Sequence, residues 1–196
     1  MRNLMVTAFV SLDGVVQGPG GPDEDRDGGF AHGGWAVPHI DDEVISRAIG
    51  VAARADALLL GRRTYEEFAA FFAPQGDSDP MAAGMNAMPK VVVSTTLTDP
   101  AWENSTVDDG SDLPGLVARL KEQYDGDVLV AGSATLVEAL RQHDLVDEYR
   151  LMVHPIVLGR GKRLFRDGSD ATTLSVAETR MVGPDVQLVV YRPAGG

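Results

Sequence analysis

The chain contains no cysteine. Disulfides and every thiolate metal site are therefore excluded, including the zinc deaminase pattern of His-x-Glu followed by Pro-Cys-x-x-Cys. Histidine is scarce as well. His32, His39, His143 and His154 are scattered without a metal-ligand spacing, and no metal is expected. Positive charge is in deficit: 17 Lys+Arg face 29 Asp+Glu, a formal net charge of -12. That field repels nucleic acid and acidic membrane surfaces, so neither is expected as a partner. Long apolar runs are also missing, with nothing near the ~18 residues of a transmembrane helix. The N-terminal "MRNLMVTAFVSLDG" is broken by Asp13 and lacks a small-residue cleavage site, so it reads as a strand and not a signal peptide. A cytoplasmic protein is expected.

What is present suits one domain over residues 1–196: the chain is 44% hydrophobic, with no internal repeat and no linker. Strand-like apolar runs occur at Leu4 to Val10, Ala57 to Leu60, Val91 to Ser94, Val128 to Ala131, Tyr149 to Leu158, Leu174 to Met181 and Val186 to Tyr191. Helical spacing marks Asp42 to Ala55, Thr64 to Phe72, Leu113 to Tyr124 and Ala134 to Gln142. The early alternation predicts right-handed βαβ units, and the last strands lack intervening helices. The expected class is α/β: a mostly parallel central sheet flanked by helices, with C-terminal antiparallel strands. Two segments, "VQGPGGPDEDRDGGFAHGG" and "APQGDSDPMAAGMNAMP", read as long surface loops. The Met-rich stretch 81–88 in the second reads as flexible packing or a lid.

Three strand-to-helix junctions carry small or hydroxylated residues. In "LLLGRRTYEEF", Gly61 permits a sharp turn, and Arg62, Arg63 and Thr64 then open a helix whose free N–H groups favour an anion. Thr64-x-x-Glu67 also fits a capping box, in which Thr64 would serve its own helix. "VLVAGSATLVEAL" offers Gly132, Ser133, Ala134 and Thr135, and "KVVVSTTL" ends in Ser94 and Thr95. Together they line a carboxyl edge, where open α/β sheets bind nucleotides, although no G-x-G-x-x-G is present. Elsewhere "GRGKRLFR" gathers Arg160, Lys162, Arg163 and Arg166, which fits a substrate phosphate, a solvated loop or a dimer contact.

The order "TAFVSLDGVV", "LLLGRRTYEEF", "KVVVSTTL", "DVLVAGSATLVEAL", "DEYRLMVHPIVLGRGKRLF" resembles the dihydrofolate-reductase-like fold. It is most similar to the reductase domain of bacterial riboflavin-biosynthesis deaminase/reductases and its stand-alone relatives. The most specific pieces are Ser11-Leu12-Asp13-Gly14, Gly61-Arg62-Arg63-Thr64 and Pro155-Ile156-Val157-Leu158-Gly159-x-Gly161-x-x-Leu164-Phe165. The resemblance implies an NADPH-dependent reductase, like 5-amino-6-(5-phosphoribosylamino)uracil reductase, passing hydride to a heterocycle or ribosylamine. It implies Arg62, Arg63 and Thr64 at the 2′-phosphate and neighbouring pyrophosphate, Ser94 and Thr95 at the adenosine end, and the helix start after Gly132 at the pyrophosphate. It further implies an acidic residue at the first helix, here Asp42 or Glu43 beside Asp41, as proton donor. Asp13 is a second candidate. Trp35 is a stacking surface or loop anchor, Arg160 and Lys162 are substrate contacts, and a homodimer is expected through the long apolar run and the antiparallel tail. Dihydrofolate reductase activity and a non-catalytic nucleotide-binding module are the alternatives. One departure stands out: where dihydrofolate reductases have Gly-Gly, often joined by a cis bond, this chain has Gly132-Ser133, whose side chain should narrow the approach or disfavour the cis form.

Overall fold

Leu58, Leu59 and Leu60 are each 0% exposed. A strand buried on both faces belongs inside an α/β sheet with helices on either side. The computed structural model, which describes residues 2–76 and 78–194, places it there. The strands are β1 (Leu4–Ser11), β2 (Ala55–Gly61), β3 (Lys90–Val93), β4 (Ser105–Asp108), β5 (Asp127–Val130), β6 (Glu148–His154), β7 (Leu174–Val182) and β8 (Val186–Pro193). The helices are α1 (Asp42–Ala52), α2 (Arg62–Phe72), α3 (Pro80–Ala87), α4 (Leu113–Gln123) and α5 (Ala134–Gln142). The sheet order is β4-β3-β2-β5-β1-β6-β8-β7. Pairings β4·β3, β3·β2, β2·β5 and β5·β1 are parallel, and β6·β8 and β8·β7 are antiparallel. This is the expected α/β class.

The chain divides into two compact units, one through Val6 and from Ile49 to Asp147, the other from Thr7 to Ala48 and from Glu148 onward. In the first, Leu58, Leu60, Phe72, Met85, Val92 and Trp102 form one apolar cluster. In the second, Val44, Met152 and Leu188 centre one cluster and Val15, Phe30, Trp35 and Leu158 another.

Four local expectations need correction. The segment around residues 73–89 is not all loop: α3 lies within it, started by the Asp79 carboxylate, which accepts from the Met81 and Ala82 amides at 2.9 Å. Pro80 opens this helix, since proline is favoured in the first helical position; Asp77 lies outside the described residues. Helix α2 begins at Arg62 with Gly61 as its cap residue, so Thr64 sits inside the first turn and the capping box does not form. β6 stops at His154 because Pro155 has no N–H for the ladder. The Gly132-Ser133 peptide is cis despite the serine.

His154 closes β6 at 0% exposure, its Nδ1 2.9 Å from the Met152 carbonyl oxygen and its Nε2 without a hydrogen-bond partner among the described residues. The rings of Phe9, Trp35 and His39 surround it, and Asp185 stands 3.6 Å from His39 Nδ1. Burial lowers the pKa of this imidazole below its ordinary 6.5. The unfolded chain therefore binds more protons as the pH drops through 6.5, and stability present above that value is lost on acidification. Urea unfolding at a series of pH values should show this decline from about pH 7 to about pH 5.5, and His154→Phe should flatten it. An identical slope in the variant would assign the decline to other groups.

Candidate functional site

In the first unit, β2 runs directly into α2 with no connecting loop. Gly61, the cap residue, has extended backbone and offers no side chain to the first-turn amides. The chain leaves β5 through Gly132 and Ser133 and enters α5, where Ser133 Oγ accepts from the Leu136 amide at 3.5 Å. These two junctions touch. A Cβ on Gly61 would lie 2.5 Å from Ser133 Oγ, and one on Gly132, whose φ is +126°, would lie 3.0 Å from Thr64 Oγ1. Gly61 N–H also donates to the Gly132 carbonyl at 3.4 Å. Four expected cofactor residues, Gly61, Thr64, Gly132 and Ser133, are thus packed against one another so closely that a side chain on either glycine would press on its neighbour.

The third junction is adjacent by register, since Gly61 pairs opposite Val93, the residue before Ser94. Ser94 Oγ accepts from the Thr96 and Leu97 amides at 3.1 and 3.0 Å, so it shapes its own turn, and Thr95 is exposed beside it. Arg63 is exposed and Arg62 half-buried, at the positive end of α2. Arg62 Nη1 donates to Glu66 Oε1 at 2.8 Å and Oε2 at 3.0 Å. Ala134 is buried and Thr135 exposed in the first turn of α5. Amides, hydroxyls and guanidinium groups therefore gather at the carboxyl ends of three neighbouring parallel strands, an arrangement suited to the phosphates of a nucleotide.

The second unit holds the expected substrate residues, and their partners change several readings. Asp41 caps α1, its Oδ1 accepting from the Glu43 amide at 3.0 Å and the Val44 amide at 2.9 Å. Glu43 Oε2 accepts from Gly183 N–H at 3.0 Å, fastening the β7–β8 turn to the helix. Asp42 is exposed in the same turn. Asp13 accepts from Ser11 Oγ at 2.7 Å, from the Leu158 amide at 3.1 Å and from the Gly159 amide at 2.8 Å. The Ser11 hydroxyl first, then these amides, lower its pKa to about 2. A carboxylate held ionised in this way orders its loop and is unsuited to giving up a proton near neutral pH.

Trp35 is 5% exposed, donates from Nε1 to the Gln17 carbonyl at 2.7 Å and packs among Val15, Phe30 and Leu158. It is the loop anchor, with no open face for stacking. Lys162 is not an uncompensated cation either: its Nζ lies 2.7 Å from Asp25 and 3.0 Å from Asp27. The local reversal of charge sign in the sequence is thus offset in space by two acidic residues of the glycine-rich segment. Gln17, buried, completes the fastening. Its Oε1 accepts from the Lys162 amide at 3.0 Å, and its Nε2 donates to the Asp25 and Asp27 carbonyls at 3.2 and 3.0 Å. A cleft of about 330 Å³ opens there between Asp27, Phe30, Arg160 and Lys162. Arg160 is exposed at its edge. The sequence reading missed Gln17, Asp25 and Asp27 because an acidic Gly/Pro-rich segment reads as solvated, and nothing local pairs it with residues more than a hundred positions away.

Among the described residues no helix is long and apolar enough to cross a membrane and no cluster of three or more His, Asp or Glu could hold a metal ion. Comparison with known proteins finds a 26% identical relative over 97% of this chain and 94% of its own length, the uncharacterised protein YyaP of Bacillus subtilis (strain 168). Among solved structures, a Shewanella sp. PV-4 protein provisionally named for riboflavin biosynthesis superposes with a TM-score of 0.69, at 20% identity, covering 98% of this chain and 99% of that one. RibD of Acinetobacter baumannii superposes with a TM-score of 0.65 at 16% identity over 99% of this chain, which spans 58% of the RibD chain. At those identities the superpositions establish the fold. The profile of the RibD C-terminal domain matches residues 2–188, and the chain belongs to that family of reductase-like domains.

Proposed function

We propose that the protein is an NADPH-dependent oxidoreductase that reduces a small heterocycle or ribosylamine. The observation that carries the reading is the cradle in which Gly61, Thr64, Gly132 and Ser133 meet beside Arg62 and Arg63. Its fit to a dinucleotide is physical: glycine at 61 and 132 lets the two junctions pack in contact, which sets the helix starts of α2 and α5 side by side, and two arginines flank the amides of the first. When bound, NADPH would supply the hydride. The chain supplies the hold on it. Arg62 and Arg63 would take the adenosine 2′-phosphate, because a guanidinium donates two parallel bonds to such a group and selects for it. The amides opening α5 would face the pyrophosphate. Ser94 and Thr95 would border the adenosine end.

On the substrate side, Asp42 is the acidic candidate carried forward, since Asp13 is held ionised and Glu43 fastens a turn. The pairing of Lys162 with Asp25 and Asp27 favours a substrate without a phosphate over a phosphorylated ribosylamine, because Arg160 alone then extends positive charge toward the cleft. A homodimer through the antiparallel tail belongs to the same proposal, with the exposed edge strand β7 as the surface in need of cover.

The test is cofactor choice. Arg62→Ala or Arg63→Ala should weaken NADPH more than NADH, by ~1 to 3 kcal/mol for each lost charged hydrogen bond. Fluorescence titration of both cofactors reads this directly. Equal affinity of the unaltered protein for NADPH and NADH would overturn the reading.

A further inference from the structure

Arg62 opens α2, and its guanidinium is held by Glu66 one turn later, at 2.8 and 3.0 Å. As a device for stabilising the helix this pair runs the wrong way. The helix dipole favours acids in the first turn and bases in the last, and an i,i+4 pair stabilises more with the acid on the N-terminal side. Here the base comes first, and the first turn holds two arginines and no acid. Both side chains are also partly open to solvent, 40% for Arg62 and 47% for Glu66, so the ion pair contributes little to folding. Neither helix stability nor burial accounts for the arrangement, whereas a function for the guanidinium does.

We propose that Glu66 is a specificity-determining residue that sets the margin between NADPH and NADH by competing for Arg62. The inference rests on the proposed role of Arg62 at the 2′-phosphate. A phosphate monoester carries about -1.5 to -2 charges and three acceptor oxygens, so it outbids a single carboxylate for the guanidinium. Binding NADPH then requires Arg62 to leave Glu66, and that exchange reduces the gain from the 2′-phosphate. With NADH there is no phosphate to take the arginine, Arg62 stays on Glu66, and no charge is stranded. Glu66 therefore lowers affinity for the phosphorylated cofactor while leaving its counterpart untouched, which narrows the preference that the two arginines create. It acts as a positioning residue through Arg62 and touches no reacting atom.

The experiment is a binding cycle on the full chain, titrating the unaltered protein, Glu66→Gln, Arg62→Ala and the double variant with NADPH and with NADH. Adenosine 2′,5′-bisphosphate and adenosine 5′-monophosphate serve as parallel probes that need no turnover. Glu66→Gln should tighten NADPH and the bisphosphate about two- to fivefold, the range of an exposed ion pair, with NADH and the monophosphate unchanged. In the Arg62→Ala background the same substitution should give no gain. Added salt should erase the effect, since it screens the competing pair. If Arg62→Ala weakens NADPH but Glu66→Gln leaves every Kd where it was, the inference is overturned while the cofactor reading stands. A gain of equal size with and without Arg62 also overturns it, showing general charge repulsion in place of competition. If Arg62→Ala has no effect on either cofactor, the cofactor reading itself fails. Melting temperature, which a purely structural ion pair would move, should stay constant in Glu66→Gln.

Discussion

Lys90→Met should destabilise the protein by roughly 2 to 4 kcal/mol, out of proportion to the loss of one polar side chain. Lys90 opens β3 at 1% exposure, and its ammonium donates to the carbonyls of Asn86 at 2.9 Å, Met88 at 2.7 Å and Glu103 at 3.0 Å. The same nitrogen stands 4.2 Å from the centre of the Trp102 ring. Three donors thus meet three acceptors, two of which belong to the C-terminal end of α3, where helix carbonyls lack partners of their own. Burial pulls the lysine down to about 8, so at neutral pH it still carries its proton and all three donors. Methionine fills the space but takes the ammonium from all three carbonyls, of which that of Asn86 keeps a second donor, Asn104 Nδ2 at 3.2 Å. Urea denaturation at pH 7 measures the difference, and a loss below about 1 kcal/mol would show that water or a backbone shift satisfies those carbonyls.

The second large effect falls on the cradle. Gly132→Ala should lower NADPH affinity more than tenfold and reduce stability by about 2 kcal/mol. Its φ of +126° lies in a region that only glycine adopts readily, and the added methyl would press on Thr64 Oγ1 at 3.0 Å. The backbone strain and the contact can be separated. Adding Thr64→Ala to Gly132→Ala relieves the contact alone, so whatever stability it fails to restore belongs to the φ requirement. An unchanged NADPH affinity in Gly132→Ala would remove this junction from the cofactor site.

Much of the scaffold was legible in the sequence because buried strands and amphipathic helices announce themselves locally. Leu58 to Leu60 mark a covered central strand, and the apolar spacing of Ala134 to Gln142 gives α5 residue for residue. β4 was missed because "STVD" is short and mostly polar, and becomes a strand only by pairing along β3. The junctions that hold the candidate cofactor residues were legible for the same reason as the strands, since they lie at the carboxyl ends of β2, β3 and β5. The substrate side was not. Asp13 and Lys162 owe their present roles to partners at the far end of the sequence, Gly159 for Asp13 and Asp25 for Lys162. A residue type can announce a charge or a ring, but its occupation by a distant neighbour leaves no local trace.

The pairing of β1 with β5 also shapes the time course of folding. The Asn3 amide bonds the Asp127 carboxylate across 124 positions, and Leu4 lies opposite Val128. β1 is thus synthesised more than a hundred residues before the strand it pairs with. The entropic cost of closing a loop grows only slowly with its length, but the stabilising contacts are delayed until the partner exists, and sheets built on such distant pairs fold slowly. During synthesis Leu4, Met5 and Val6, all buried in the finished protein, must stay in contact with solvent or a chaperone until β5 has emerged.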